Sequence, residues 1–296
     1  MGTRNVSFNR QLQQQQTTPS AYQKWSLKRY WLLLCSLMLL FISTSYAQAA
    51  SLNNGGSVTG SILIAGQEDS WTFSANTGEV LNITLVDLQQ SDLVPKMTLY
   101  APDGSYVTYA SNHTVANIYN RPATLTGIYT LVVQDGTNRQ EELGNYAIHF
   151  AKSTAANEHG TLINGGLVTQ DISLGDLDSW TFDASAGEVL NITLVDLDVD
   201  NFYALMTLYA PDGSYITYAS NHTVANIYNR IAPQTGTYTL VVQDGNGTRD
   251  KVTNYEIHFA KSTGANEHGS LINGGLVTQD ISLGDLDSWT FDASAG

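Results

Sequence analysis

The phrase Asp-Ser-Trp-Thr-Phe occurs three times, around Trp71, Trp180 and Trp289, and both intervals are 109 residues. A recurrence of that length is large enough for each unit to bury its own core, so the chain is a string of like domains rather than one continuous fold. Residues 97–120 match 206–229 with a single change, Val107 to Ile216, and 78–88 is identical to 187–197. Copies this close share one fold and nearly one surface. The recurrence sets the expected organisation: a first repeat at 50–156, a second at 157–265, and the truncated start of a third at 266–296. That last segment holds two strands of a sandwich, too few to bury Trp289, and is expected to be poorly ordered or to lean on a neighbour.

Residues 1–49 differ in character from the rest. They hold Arg4, Arg10, Lys24, Lys28 and Arg29 and no acidic residue, and Lys28-Arg29 runs into the apolar stretch 31–43 before Ala47-Gln48-Ala49. Basic flank, short apolar run and small residues make a secretory signal peptide, and 13 apolar residues fall short of the roughly 20 that span a bilayer. The expected location is therefore secreted or at the cell surface, the alternative being a signal-anchored membrane protein. The one cysteine, Cys35, lies within the apolar run, so the exported part is free of thiols and depends on apolar cores. Beyond residue 49 the chain carries 8 basic against 27 acidic residues. A surface so acidic does not suit nucleic acid, whose phosphates draw on clustered Lys and Arg, nor a membrane once the signal is removed.

Between the turns the apolar residues alternate with period two. Leu81, Ile83 and Leu85 alternate with Asn82 and Thr84, which places the first set on a core and the second towards solvent. Strands are also expected at 58–64, 70–73, 97–101, 106–110, 128–134 and 146–150, with equivalents 109 residues on. Ala101-Pro102-Asp103-Gly104 has hairpin chemistry, and Asp135-Gly136 is read the same way. Helical periodicity is absent beyond the signal, so the fold class is all-β: tandem antiparallel β-sandwiches of seven to nine strands each after an N-terminal signal helix.

The order G-x-x-D-S-W-T-F, G-E-V-L-N-I-T-L, M-T-L-Y-A-P-D-G-S, T-G-x-Y-T-L-V-V and N-Y-x-I-H-F resembles the bacterial pre-peptidase C-terminal domain family, in tandem repeats. The resemblance covers both full copies and the start of the third. It implies a secreted jelly-roll-like sandwich, commonly appended to extracellular peptidases and other exported proteins, with calcium used by some relatives. These are framework motifs, specific for fold rather than for activity.

The candidates for chemistry are few. All six histidines fall in repeat columns, His113 with His222, His149 with His258, and His159 with His268. None belongs to an H-E-x-x-H, and no G-x-S-x-G elbow accompanies them, so they read as structural or surface residues and no catalytic or cofactor-binding residue is assigned. His149 is placed on the strand face opposite Ala147. Asp196, Asp198 and Asp200 alternate before Asn201 and are the candidate metal ligands, for calcium, which favours several oxygens. The first copy has Asp87 followed by Gln89 and Ser91 at the matching positions, and solvated loop charge is the plainer reading. Asp176 and Asp178 stand two apart before Trp180, with Gln67 in place of Asp176 in the first copy. Tyr129 and Tyr238 follow Thr-Gly-x as a tyrosine corner does. Tyr106, Tyr109 and Tyr119 could form a platform for sugar stacking, although packing is commoner for strand aromatics.

The expected function is a secreted non-catalytic repeat protein for extracellular binding, adhesion or spacing, with an extracellular protein or polysaccharide as partner. The alternative is a set of accessory modules on a secreted peptidase or other hydrolase.

Overall fold

The computed structural model describes residues 50–198 and 202–295; the signal-peptide reading of 1–49, with Cys35, and the candidate Asp200 lie outside them. Among the described residues the chain is all-β. The first sandwich follows a short strand β1 (Ala50–Ser51) and comprises β2 (Gly56–Ile62), β3 (Glu68–Ala75), β4 (Val80–Asp87), β5 (Pro95–Tyr100), β6 (Tyr106–Ser111), β7 (Val115–Pro122), β8 (Gly127–Asp135) and β9 (Gly144–Lys152). The second comprises β10 (Gly166–Ile172), β11 (Asp178–Ala184), β12 (Val189–Asp196), β13 (Ala204–Tyr209), β14 (Tyr215–Asn221), β15 (Val224–Ile231), β16 (Gly236–Asp244) and β17 (Thr253–Lys261).

Strand order is β1-β3-β8-β5-β6 against β2-β9-β4-β7 in the first module, and β11-β16-β13-β14 against β10-β17-β12-β15 in the second. First strand pairs with last and, apart from the β5–β6 and β13–β14 hairpins, the chain crosses between the sheets at each step, which is jelly-roll topology. The inward residues close one core per module. Leu81, Ile83, Leu85, Met97, Leu99, Leu131, Ile148 and Phe150 meet in the first, and Leu190, Ile192, Leu194, Met206, Leu208, Leu240, Ile257 and Phe259 in the second. Phe73 packs against Tyr129 and Phe150, as Phe182 does against Tyr238 and Phe259.

Both tyrosine corners are present. Tyr129 donates its hydroxyl to Leu125 O at 2.8 Å and accepts Leu125 N at 3.0 Å, while Tyr238 does the same with Gln234 at 2.5 and 3.1 Å. The hairpin at residues 101–104 forms between β5 and β6, with Gly104 in the left-handed region at φ 79°.

Two expectations are corrected and one strand is added. Asp135-Gly136 is no hairpin: β8 and β9 lie in different sheets, and Asp135 instead accepts Thr137 N at 3.0 Å and Glu142 N at 3.1 Å to shape the crossover. β7, unmarked by clean alternation, is a strand with a bulge, where Tyr119 and Asn120 together oppose Asn82 and Asn120 takes φ 51°. Asn82 and Thr84 do not face solvent; each is 1% exposed, because the second module covers the outer side of β4.

Candidate functional site at the module junction

The outer face of β2-β9-β4-β7 packs on the outer face of β11-β16-β13-β14. Each face is the out-pointing set of strands whose other set fills a core, so period two supplies both surfaces at once. Val80, Ala151, Ala156, Leu177, Tyr209 and Val241 form an apolar cluster across the junction, and Leu174 packs on Val86, Val115 and Ala147. Most buried polar groups there find partners, as a dry contact requires, although Gln243 Nε2 has none. Asn82 donates to Tyr209 OH at 3.3 Å and holds the bulge by accepting Asn120 N at 3.0 Å. Tyr119 and Thr207 hydroxyls meet at 3.0 Å, Ala155 N donates to Thr239 Oγ1 at 3.0 Å, and Thr84 Oγ1 donates to Gly175 O. Arg249 lies over the Tyr119 ring, 5.3 Å from its centroid. At Gly175, φ is 69° and a Cβ would come within 2.5 Å of Val86, so only glycine allows the approach. Burial pushes the Tyr209 hydroxyl well above the usual phenol range.

At one edge of this contact lie titratable groups from three segments. His149 Nδ1, on β9, is 2.8 Å from Asp176 Oδ1. His149 was expected opposite Ala147; strand residues two apart share a face, and both sit buried against module 2. Residues 157–162 then run beside β11, bridging in parallel at Thr161 and Thr181, which carries His159 Nε2 to 3.1 Å from Asp178 Oδ1. Asp178 is fully buried and accepts the Tyr255 hydroxyl at 2.6 Å, while Tyr255 accepts Trp180 Nε1 at 3.1 Å. His159 also lies on Trp180, ring centroids 5.2 Å apart. The Asp-Ser-Trp phrase is thus a framework device: its carboxylate and indole clamp the tyrosine of the last strand, as Asp69, Trp71 and Tyr146 do in module 1.

Glu158, His159 and Asp178 offer ligand atoms all within 4.8 Å of one another. Burial, then the neighbouring Asp176 and Asp178, pushes the Glu158 carboxyl up to about 7. Burial also raises Asp178, with Asp176 adding to it. Against its burial, contact with His149 holds Asp176 low, and the bond to Asp178 raises His159. Excess carboxylate in a half-buried place is what a cation relieves. One imidazole and two carboxylates match a zinc-like ion in number and type, whereas calcium would need further oxygens.

The arrangement recurs. Glu267, His268 and Asp287 form the same cluster, His268 lies 3.0 Å from Asp287, and Trp289 takes the place of Trp180 at 5.1 Å from the imidazole. The segment 266–295 leans on module 2 with Trp289 half-buried and Phe291 exposed, but the two strands expected in it do not form and only Ser270 and Thr290 bridge. In the first repeat, Gln48 and Ala49 stand at the positions of Glu158 and His159, and Gln67 at that of Asp176.

Of the candidates read from sequence, Asp196 accepts Thr253 Oγ1 at 2.9 Å and Asp198 N at 3.2 Å. Asp198 accepts Thr253 Oγ1 at 3.2 Å and both amide groups of Asn254 at 2.9 and 3.0 Å. Thr253 thus joins the two carboxylates, and the matching Asp87 ties its own loop through Gln89 and Ser91. Tyr106 and Tyr109 line a shallow groove of about 390 Å³ with Lys96 and Tyr100, away from Tyr119, which is held in the junction. Sequence reasoning noted His159 and the Asp176–Asp178 pair separately but did not join them. The parallel return of the linker brings them together, and no local periodicity announces it.

No family model and no curated protein matches the chain. Among solved structures, the chain is similar to a pre-peptidase C-terminal domain of collagenase from Bacillus anthracis, 22% identical over 36% of this chain and 94% of that one, with a TM-score of 0.27. A periplasmic inhibitor of g-type lysozyme from Salmonella Typhimurium is 15% identical over 35% and 96% (TM-score 0.26), and the human CUB1-EGF-CUB2 segment of MASP-1/3 is 11% identical over 68% and 99% (TM-score 0.21).

Proposed function

We propose that the chain is an exported, non-catalytic array of β-sandwich modules that spaces or presents material at the cell surface or beyond it. The observation that carries this reading is the junction. Two sandwiches with separate cores share a third, apolar contact, Val80, Ala151, Leu177, Tyr209 and Val241, whose polar rim is hydrogen-bonded from side to side. Domains that need only a tether lack such a contact, since relative motion is the ordinary condition of linked domains. A fixed junction gives reach and direction, whether at a surface or beside a secreted hydrolase to which such modules are attached. The tyrosine groove of Tyr100, Tyr106 and Tyr109 supports polysaccharide as the partner presented to, through stacking on sugar faces.

The test is rotational. Residual dipolar couplings of residues 50–296 should fit one alignment tensor for both modules. Separate tensors would sink the spacer reading, because a floppy pair transmits neither length nor direction.

A further inference from the structure

The outer face of β10-β17-β12-β15 repeats most of the surface on which module 2 is seated. Val80, Asn82, Thr84, Val86 and Tyr119 recur as Val189, Asn191, Thr193, Val195 and Tyr228, with Glu256 in place of Ala147. One corner of this second face is covered by later residues of the chain. A Cβ at Gly284 would lie 2.4 Å from Val195, and Asp285 stands 3.4 Å from His258, repeating Gly175 on Val86 and Asp176 beside His149. The rest is open: Val189 and Asn191 are partly exposed, and Tyr228 is 69% exposed where its counterpart Tyr119 is held by Thr207 and Arg249.

The complementary face differs between the modules in an informative way. Module 1 keeps Thr98, Tyr100 and Val132 where module 2 has Thr207, Tyr209 and Val241, but it carries Glu68 and Gln140 where module 2 has Leu177 and Arg249. A stacked array puts polar residues on the outer face of its end module. At Glu68 module 1 has the polar residue that such a cap carries, where module 2 has Leu177 buried in the junction. Residues 281–287 repeat 172–178 without a change, Asp285 and Leu286 included, so the segment seated on the corner is of the module 2 type.

We infer that the outer face of β10-β17-β12-β15 is a docking surface for a further sandwich of the module 2 type, seated head to tail. Asn191 receives the tyrosine equivalent to Tyr209, Tyr228 receives the threonine equivalent to Thr207, and the arginine equivalent to Arg249 covers the Tyr228 ring. The contact is heterologous, so it propagates in one direction. This rests on the array reading above.

The experiment continues the chain past Gly296 with residues 188–265, which completes a third sandwich in register. Amide exchange across Val189–Asp196 should slow at least tenfold relative to the original chain, and Tyr228→Glu or Val189→Glu should restore it. Unchanged exchange beside a folded third sandwich overturns the inference. Should that sandwich fail to fold, residues 157–265 carrying Tyr228→Glu, whose core closes within the module, are titrated onto residues 50–265, which lack the segment already seated on the corner. A 1:1 complex weakened at least tenfold by Leu177→Glu in the added module is then expected, and no complex, or one indifferent to Leu177→Glu, overturns it. In either format, a negative result with a single alignment tensor for modules 1 and 2 removes the docking surface and leaves the spacer reading intact.

Discussion

Tyr100 and Tyr209 occupy the same place in two nearly identical sandwiches, yet one is partly exposed on an open sheet and the other is fully buried against a neighbouring module. Identity of sequence did not decide which would be buried. Tyr209 is buried because Val80, Ala151 and Asn82 of module 1 lie against it, and the modules differ around this face at Glu68 against Leu177 and Gln140 against Arg249 and in the linker pair Glu158-His159. A repeat can thus keep one framework while a few outer positions, Glu68 against Leu177, Gln140 against Arg249 and Ala147 against Glu256, suit it to a different neighbour.

The comparison breaks first at the tyrosines. Tyr209→Ala should cost about 3–5 kcal/mol, the range for deleting a large buried aromatic, whereas Tyr100→Ala should cost about 1 kcal/mol or less. Urea unfolding followed by intrinsic fluorescence checks both; equal costs would mean that the junction contributes nothing to Tyr209. Next comes the exchange of rim residues. Leu177→Glu writes the cap's residue into the internal face and should cost about 2–4 kcal/mol through a carboxylate in an apolar contact, while Glu68→Leu changes stability by about 0.5 kcal/mol.

Protons and cations act at the charged edge of the same junction. The Glu158 carboxyl, pushed up to about 7 from its ordinary 4.5, keeps a proton in the folded junction that the unfolded chain has released. Stability therefore falls as pH rises from 4.5 to about 7. His159, raised above 6.5 by its bond to Asp178, adds stability below 6.5 that is lost as pH climbs through its folded value, so both groups act in one direction. Thermal melting of residues 50–296 should show a lower midpoint at pH 8 than at pH 5.5, with Glu158→Gln flattening the difference. A divalent cation at 100 times its dissociation constant should return about 2.7 kcal/mol at pH 8. If calcium does so and Asp178→Asn leaves the gain unchanged, the ion sits elsewhere, with Asp196 and Asp198 next in line.

Most of the fold was legible because strands and turns are local. Alternation at Leu81, Ile83 and Leu85, the turn at Pro102-Asp103-Gly104 and the corner at Tyr129 each follow from a few neighbouring residues. β7 was obscured by its own bulge, since the extra residue at Asn120 breaks the alternation. The junction was not legible because Asn82 and Thr84 read as solvent-facing in any isolated sheet; only the position of another module makes them interior. The charged edge was hidden for a related reason. Its members sit on β9, on the linker and at the start of β11, and only the parallel path of the linker beside β11 places His159 against Asp178.

The pairing of first strand with last also governs how such a chain must be made. Gly56 waits for Phe150 before module 1 can close, a long-range contact of the kind that slows folding. Through that wait, strand residues 81–85 could pair as well with partners from the other copy as with their own, since 78–88 and 187–197 are identical, and a swapped pair would satisfy the same ladder. Synthesis order offers the protection: Lys152 is made before Gly166, so module 1 has all its own strands before the first strand of its near-twin exists, and domains made in sequence tend to fold in sequence. Denatured and refolded at once, the two copies would lose that head start and compete for each other's strands.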